Sequence, residues 1–201
     1  MVFSKDGSKM FVSVGSRSND ALSVIQSRFP GFSQFAARYG FGAIASWLIP
    51  SGLIGSEERR ADVLQYNPDG TGFLIFATGL RNCVGMAVNR TTGDLWCSTN
   101  ERDGLGDDLP PDYITRVIDR GFYGWPWYYI GNHEDPFHRG ERSELKNRVI
   151  VPDVLIQAHS ASLEMTFYDG RQFPQGYRGM LSLPNTARGT DHASRVTRSF
   201  A

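Results

Sequence analysis

Apolar residues alternate with polar or small ones in six short runs: Met10–Val14, Val63–Tyr66, Phe73–Phe76, Val84–Val88, Asp94–Cys97 and Met165–Tyr168. Each has the length and period of a strand with one face buried. Between them stand Lys5-Asp6-Gly7-Ser8, Asn67-Pro68-Asp69-Gly70, Thr91-Thr92-Gly93-Asp94 and Asp169-Gly170, whose residues suit the dihedrals of tight turns. The pattern predicts hairpin after hairpin. From Val63 to Cys97 the order of strands and turns reads as most of one four-stranded antiparallel unit. Units of that kind repeat every 40–50 residues or so in β-propellers, and a chain of 201 residues has room for about four of them.

Three stretches break the pattern. Residues 21–55 lack alternation, are rich in Phe, Ala, Gly and Ser, and carry only Arg28 and Arg38 as charges. They read either as one or two helices, Ser33 to Tyr39 and Ala43 to Leu48, or as a loosely docked insertion. Asn100 to Asn132 is loop-rich, with Asp103-Gly104-Leu105-Gly106-Asp107-Asp108 followed by Pro110-Pro111. A loop of that length is too long for a plain connector and points to function. From Ser182 onward, the series Asn185 to His192 offers little to bury and reads as disordered or foreign.

Composition narrows the function classes. Lysine plus arginine equals aspartate plus glutamate, 21 each, so no net field draws the chain to nucleic acid or an anionic surface. Two cysteines, Cys83 and Cys97, cannot build a disulfide framework; they could pair across a predicted hairpin or stay free. Four scattered histidines leave no structural zinc pattern. The longest apolar tract, Phe41 to Ile54, is interrupted and falls short of the roughly 20 residues that span a bilayer. Met1 to Gly7 lacks the pattern of an export signal and reads as the middle of a β domain.

Candidate chemistry begins at Thr78–Met86, where Arg81 and Asn82 lie at a bend between two strands. A forked guanidinium beside an amide suits an anionic, carbonyl-rich ligand. On spacing alone, a solvated arginine and a turn asparagine are the simpler reading. The order of motifs adds more: Gly79-Leu80-Arg81-Asn82, Gly93-Asp94-Leu95-Trp96, Asn100 to Asp108, then Gly121-Phe122-Tyr123-Gly124-Trp125-Pro126. This series resembles the glucose/sorbosone dehydrogenase family, six-bladed β-propeller quinoproteins that use pyrroloquinoline quinone (PQQ). The resemblance covers 57–183 and also 1–19, leaving 21–55 and 184–201 atypical. It implies an all-β, incomplete propeller of about four blades with an irregular insertion at 21–55, making one partial domain over 1–201.

Carried over by residue, the resemblance implies that Arg81 and Asn82 contact PQQ, with Cys83 standing where the family has proline. It implies that the main-chain carbonyls of Asp103 and Gly104 hold calcium against the quinone. Asp107 and Asp108 read equally as part of that calcium-holding loop or as residues that cap turns or face solvent. The aromatic run Gly121 to Tyr129 reads as packing between blades. His159 matches a family position near the cofactor face but reads first as a packing group, and His133 and His138 read as solvated outer-loop residues.

The family's general base, a histidine, falls upstream of Met1 by the resemblance. Asn185 to His192 replaces a His-Gly-Ser-Trp-Asn-Arg loop, as a shifted reading frame would. The expectation is a fragment of a PQQ-dependent sugar or aldehyde dehydrogenase, inactive alone, outside the cytoplasm, with a small sugar as substrate. The alternative is a non-catalytic propeller module that binds protein or carbohydrate.

Overall fold

The computed structural model describes residues 1–19 and 59–182. The insertion at 21–55, its expected helices, and the tail with His192 lie outside the described residues. The strands are β1 (Val2–Phe3), β2 (Met10–Val14), β3 (Asp62–Tyr66), β4 (Leu74–Thr78), β5 (Cys83–Val88), β6 (Leu95–Thr99), β7 (Tyr113–Arg116), β8 (Gly121–Phe122), β9 (Tyr128–Tyr129), β10 (His133–Glu134), β11 (Val154–Leu155), β12 (Thr166–Phe167) and β13 (Leu181–Ser182). Helical structure among the described residues is confined to two short 3-10 segments, Ser143–Arg148 and Gln175–Tyr177.

The strands form four sheets, ordered β1-β2-β3-β4-β8, β11-β7-β6-β5, β10-β9 and β12-β13. Pairing is antiparallel except where β8 runs parallel to β4. Among the described residues this is an open, incomplete propeller. Two of these sheets reach four strands or more, and the other two are pairs of two-residue strands.

The unit expected from Val63 to Cys97 is not one sheet. β3 and β4 close the first sheet's meander, whereas β5 and β6 belong to the second. The cause is the bend between them. Gly79 takes φ +76°, a conformation that penalises a side chain. Leu80, fully buried, is held to the first sheet by its N–H donating to the Ala61 carbonyl at 2.9 Å. The chain therefore leaves the first sheet here and does not fold back on it. Asn100 to Asn132 is loop-rich, but β7, β8 and β9 lie inside it. In β7, Tyr113, Ile114 and Thr115 are all buried, so the strand has no alternation to show.

Turns form where the sequence places them. The Asp69 carboxylate accepts the Thr71 N–H at 2.9 Å, and Asn89 Oδ1 accepts the Thr91 N–H at 2.8 Å. These are side-chain-closed turns of the kind that Asp and Asn favour. The core then joins sheet to sheet: Phe11, Val63, Ala77 and Leu80 pack with Cys83, Met86, Leu95, Cys97 and Tyr113. A second cluster packs Ile114, Val154 and Ile156 on Met165 and Leu181. Each large apolar side chain so covered contributes about 1.5–3 kcal/mol. Cys83 and Cys97 are joined in a disulfide inside the first cluster.

The aromatic run is structural, as expected. Phe122, Tyr123, Trp125 and Tyr128 are buried, and a Cβ on Gly124 would sit 2.4 Å from the Tyr128 carbonyl oxygen. His133 is exposed and stacks on Tyr129. His138 corrects its expectation: it is buried, with Nδ1 at 3.1 Å from Glu141 Oε2. A turn closed by the His138 N–H on the Asp135 carbonyl folds it inward.

Asp62, the first residue of β3, is buried, and desolvation pushes its carboxyl up to about 7 from an ordinary 3.8. Between those values the folded chain holds a proton that the unfolded chain has lost, so stability falls as pH rises from about 4 to about 7 and then levels. Allowing for partial access to water, the loss is about 2 kcal/mol. Asp62→Asn should raise stability by that amount at pH 8 and remove one proton from the slope of urea-unfolding free energy against pH. An unchanged slope would show that Asp62 ionises normally in the folded chain.

Candidate functional site

The bend that separates the two large sheets delivers Arg81 and Asn82. Their main chain is pinned from both sides: the Arg81 carbonyl accepts the Ser16 N–H at 2.7 Å, and the Asn82 carbonyl accepts the Asn100 N–H at 2.9 Å. The Asn82 side chain lies against Gly15, where a Cβ would be 2.4 Å from Asn82 Oδ1. Only glycine permits that approach.

The Arg81 guanidinium reaches the loop after β6. Nη1 donates to the carbonyls of Asn100, at 3.2 Å, and of Glu101. Nη2 donates to Asn19 Oδ1 at 3.0 Å. Nε is buried and has no partner among the described residues, and the same holds for Asn100 Oδ1. Every oxygen that holds Arg81 is thus neutral. Glu101, Asp103 and Asp112 act on it only at longer range, against the desolvation that lowers its pKa.

Asp103 is one side chain away. Asn19 accepts the Asp103 N–H at 2.8 Å and donates Nδ2 to the Asp103 carbonyl at 2.9 Å, which ties the main chain of Asp103 to Arg81. The same carbonyl accepts Arg102 Nε at 3.1 Å. Arg102 is itself locked, with Nη1 on both carboxylate oxygens of Asp135 at 2.9 and 2.7 Å and its guanidinium 4.4 Å from the Phe137 ring centroid. His159 places Nδ1 at 3.0 Å from Asp103 Oδ1 and Nε2 at 3.0 Å from the Gly106 carbonyl. Both partners are acceptors, so the protonated ring is the form that satisfies both; the Gly106 carbonyl, and after it Asp103, raises its pKa against some desolvation. His159 is therefore a clasp on this loop and more than a packing group. Asp112 completes the frame by accepting the N–H groups of Glu101 and Ala161, each at 2.8 Å. Burial pushes the Glu101 carboxyl up to about 7 against the opposing pull of Arg81.

The expected groups fit this arrangement unequally. A half-buried guanidinium held only by neutral oxygens retains its charge for an anionic ligand, as PQQ requires. For calcium, both lone pairs of the Asp103 carbonyl are taken by N–H donors, so a cation there must displace Asn19 or Arg102. The Gly104 carbonyl has no such donor among the described residues. Asp107 and Asp108 are exposed. No group of three or more His, Cys, Asp or Glu suited to a metal occurs among the described residues.

A sequence model of the glucose/sorbosone dehydrogenase family matches residues 1–183. The chain belongs to this family. An uncharacterized protein of Borreliella burgdorferi is 31% identical over 122 residues, covering 60% of this chain and 32% of that protein. Among solved structures, the iodide structure of a Trichoderma reesei protein of carbohydrate-active enzyme family AA12 matches with TM-score 0.61 and 18% identity. That match covers 97% of this chain and 49% of the other. The holo form of the pyranose dehydrogenase PQQ domain from Coprinopsis cinerea matches with TM-score 0.56 and 18% identity, covering 91% and 46%. At such identity the structural likeness shows the fold. This glucose/sorbosone dehydrogenase family chain spans about half the length of those structures and a third of the Borreliella protein.

Asn19, Arg102 and His159 are the site-forming residues that sequence reasoning passed over or undervalued. A signal existed for His159 alone, through its family position.

Proposed function

We propose that this chain is part of a PQQ-dependent sugar dehydrogenase and that Arg81 binds an anionic oxygen of the quinone cofactor, with Asn82 beside it. The observation that supports this most is the Arg81 guanidinium, half-buried at a sheet junction and bonded to neutral oxygens alone. PQQ, when bound, supplies a quinone that takes hydride from a sugar carbon. Arg81 and Asn82 bind and orient it, while the 100–106 loop sets the floor of the site. Calcium, in this reading, uses the Gly104 carbonyl, and the Asp103 carbonyl only once a donor leaves it.

Proton removal from the sugar is not assigned to any described histidine. His138 is buried, His133 stacks on Tyr129 beside the Ile130 carbonyl, and His159 has both ring nitrogens on loop acceptors, Asp103 and Gly106, so none of the three presents a ring nitrogen beside Arg81. We therefore propose that the 201-residue chain binds quinone without oxidising sugar. The disulfide supports a compartment outside the cytoplasm, since such bonds persist where thiols are not kept reduced. No helix among the described residues is long and apolar enough to cross a membrane.

The test is a PQQ titration of the full chain, with and without calcium, followed by absorbance, beside a dye-linked sugar oxidation assay. Arg81→Ala should weaken PQQ binding about 10- to 100-fold, the worth of a charge-assisted pair. Carbohydrate binding without any PQQ affinity would turn the reading to a non-catalytic module.

A further inference from the structure

The main chain from Gly15 to Asn19 wraps the Arg81–Asn82 bend. Ser16 donates its N–H to the Arg81 carbonyl, and its Oγ donates to the Ser18 carbonyl at 2.6 Å while accepting the Ser18 N–H at 3.1 Å. That tight turn, pressed on Asn82 through Gly15, delivers the Asn19 side chain to the gap between Arg81 and the Asp103 turn.

We propose that Asn19 is the positioning residue of the site, locking the Arg81 guanidinium and the Asp103 main chain into one fixed relation. The proposal rests on the reading of Arg81 as the anion-binding residue. Its argument is one of donors and acceptors. Asn19 Oδ1 uses both lone pairs, on the Asp103 N–H at 2.8 Å and on Arg81 Nη2 at 3.0 Å, while Nδ2 donates to the Asp103 carbonyl at 2.9 Å. A flipped amide would set its NH2 against two donors, so the partners fix the orientation. Pairing with both the N–H and the C=O of Asp103 restrains the two peptide units that flank it, and with them the φ and ψ of that residue. Asp cannot replace Asn here, because a carboxylate has no donor for the Asp103 carbonyl and would neutralise Arg81. Ala supplies none of the three bonds. Asn is a residue type that does all three while leaving the guanidinium charge unpaired for a ligand.

The experiment combines amide hydrogen exchange at Asp103 with PQQ titration, on the full chain and two variants. In Asn19→Ala, exchange at Asp103 should quicken about 10-fold or more, while amides of β6 and β7 keep their protection, and PQQ affinity should fall about 10-fold. In Asn19→Asp, the Asp103 N–H keeps an acceptor and its protection, yet PQQ affinity falls as far as in Arg81→Ala. That split separates positioning from a plain turn role, and Asn19→Asp carries the test should Asn19→Ala not fold. Unchanged Asp103 exchange in Asn19→Ala, or wild-type PQQ affinity in Asn19→Asp, overturns the proposal. A wild-type chain that binds no PQQ overturns the reading of Arg81, and Asp103 exchange still decides whether Asn19 clamps the turn.

Discussion

Asp135→Ala is expected to lower the unfolding free energy by about 3–5 kcal/mol, the cost of breaking a buried ion pair from one side. Arg102 and Asp135 expose only 3% and 4% of their side chains, and the carboxylate also accepts the Phe137 N–H at 2.8 Å. Removing it leaves a guanidinium enclosed against Phe137 with no counter-charge, along with an unpaired backbone donor. The desolvation already spent on Arg102 is then no longer offset. Replacing both partners by apolar residues, as in Arg102→Met with Asp135→Leu, should cost less than Asp135→Ala alone. Urea unfolding of the two variants and the wild type measures this. A loss below about 1 kcal/mol for Asp135→Ala would mean the pair is solvated in solution. Beyond stability, Arg102 Nε holds the Asp103 carbonyl, so Asp135→Ala should also loosen the turn beside Arg81.

The parts of this fold that sequence reveals are those with one wet face. Met10–Val14 and the Asn67–Gly70 turn stand where alternation and turn chemistry put them. β7 escaped because it is covered on both faces, and covered strands carry no period-two signal. The division between the two large sheets escaped for a different reason. Thr78 to Asn82 has the same local chemistry as a hairpin loop, and only the burial of Leu80 against the first sheet decides that the next strand starts a new one. Locality also explains the site. Arg81 and Asn82 stood out because their own types and their order among the motifs are legible. Asn19 was not, since its partners lie 62 and 84 residues away and its neighbours spell only a turn. His138 was misjudged because charged neighbours suggested an outer loop, whereas the Asp135 turn folds the ring inward onto Glu141.

The disulfide yields the other large expected effect, and it bears on the same bend. Cys83 immediately follows Asn82, at the position where the family resemblance calls for proline. Proline would stiffen this point by fixing φ; here Cys83 is bonded to Cys97 on the adjoining strand, with Cα atoms 5.7 Å apart. Stiffness is thus supplied by a covalent tie to β6 in place of a ring on the backbone. Closing a loop with a sequence separation of 14 removes enough unfolded-chain entropy to stabilise the fold by about 3 kcal/mol. The double variant Cys83→Ser, Cys97→Ser should lose about that much in urea unfolding, plus a further increment for placing hydroxyls in an apolar cluster. Both sulfurs are buried, so a reductant should act only after local opening, and the folded oxidised chain should resist it at low urea. If both thiols are alkylated in unfolded, unreduced protein, the bond does not exist, and the bend at Asn82 must owe its rigidity to the hydrogen bonds of Arg81 and Asn100 alone.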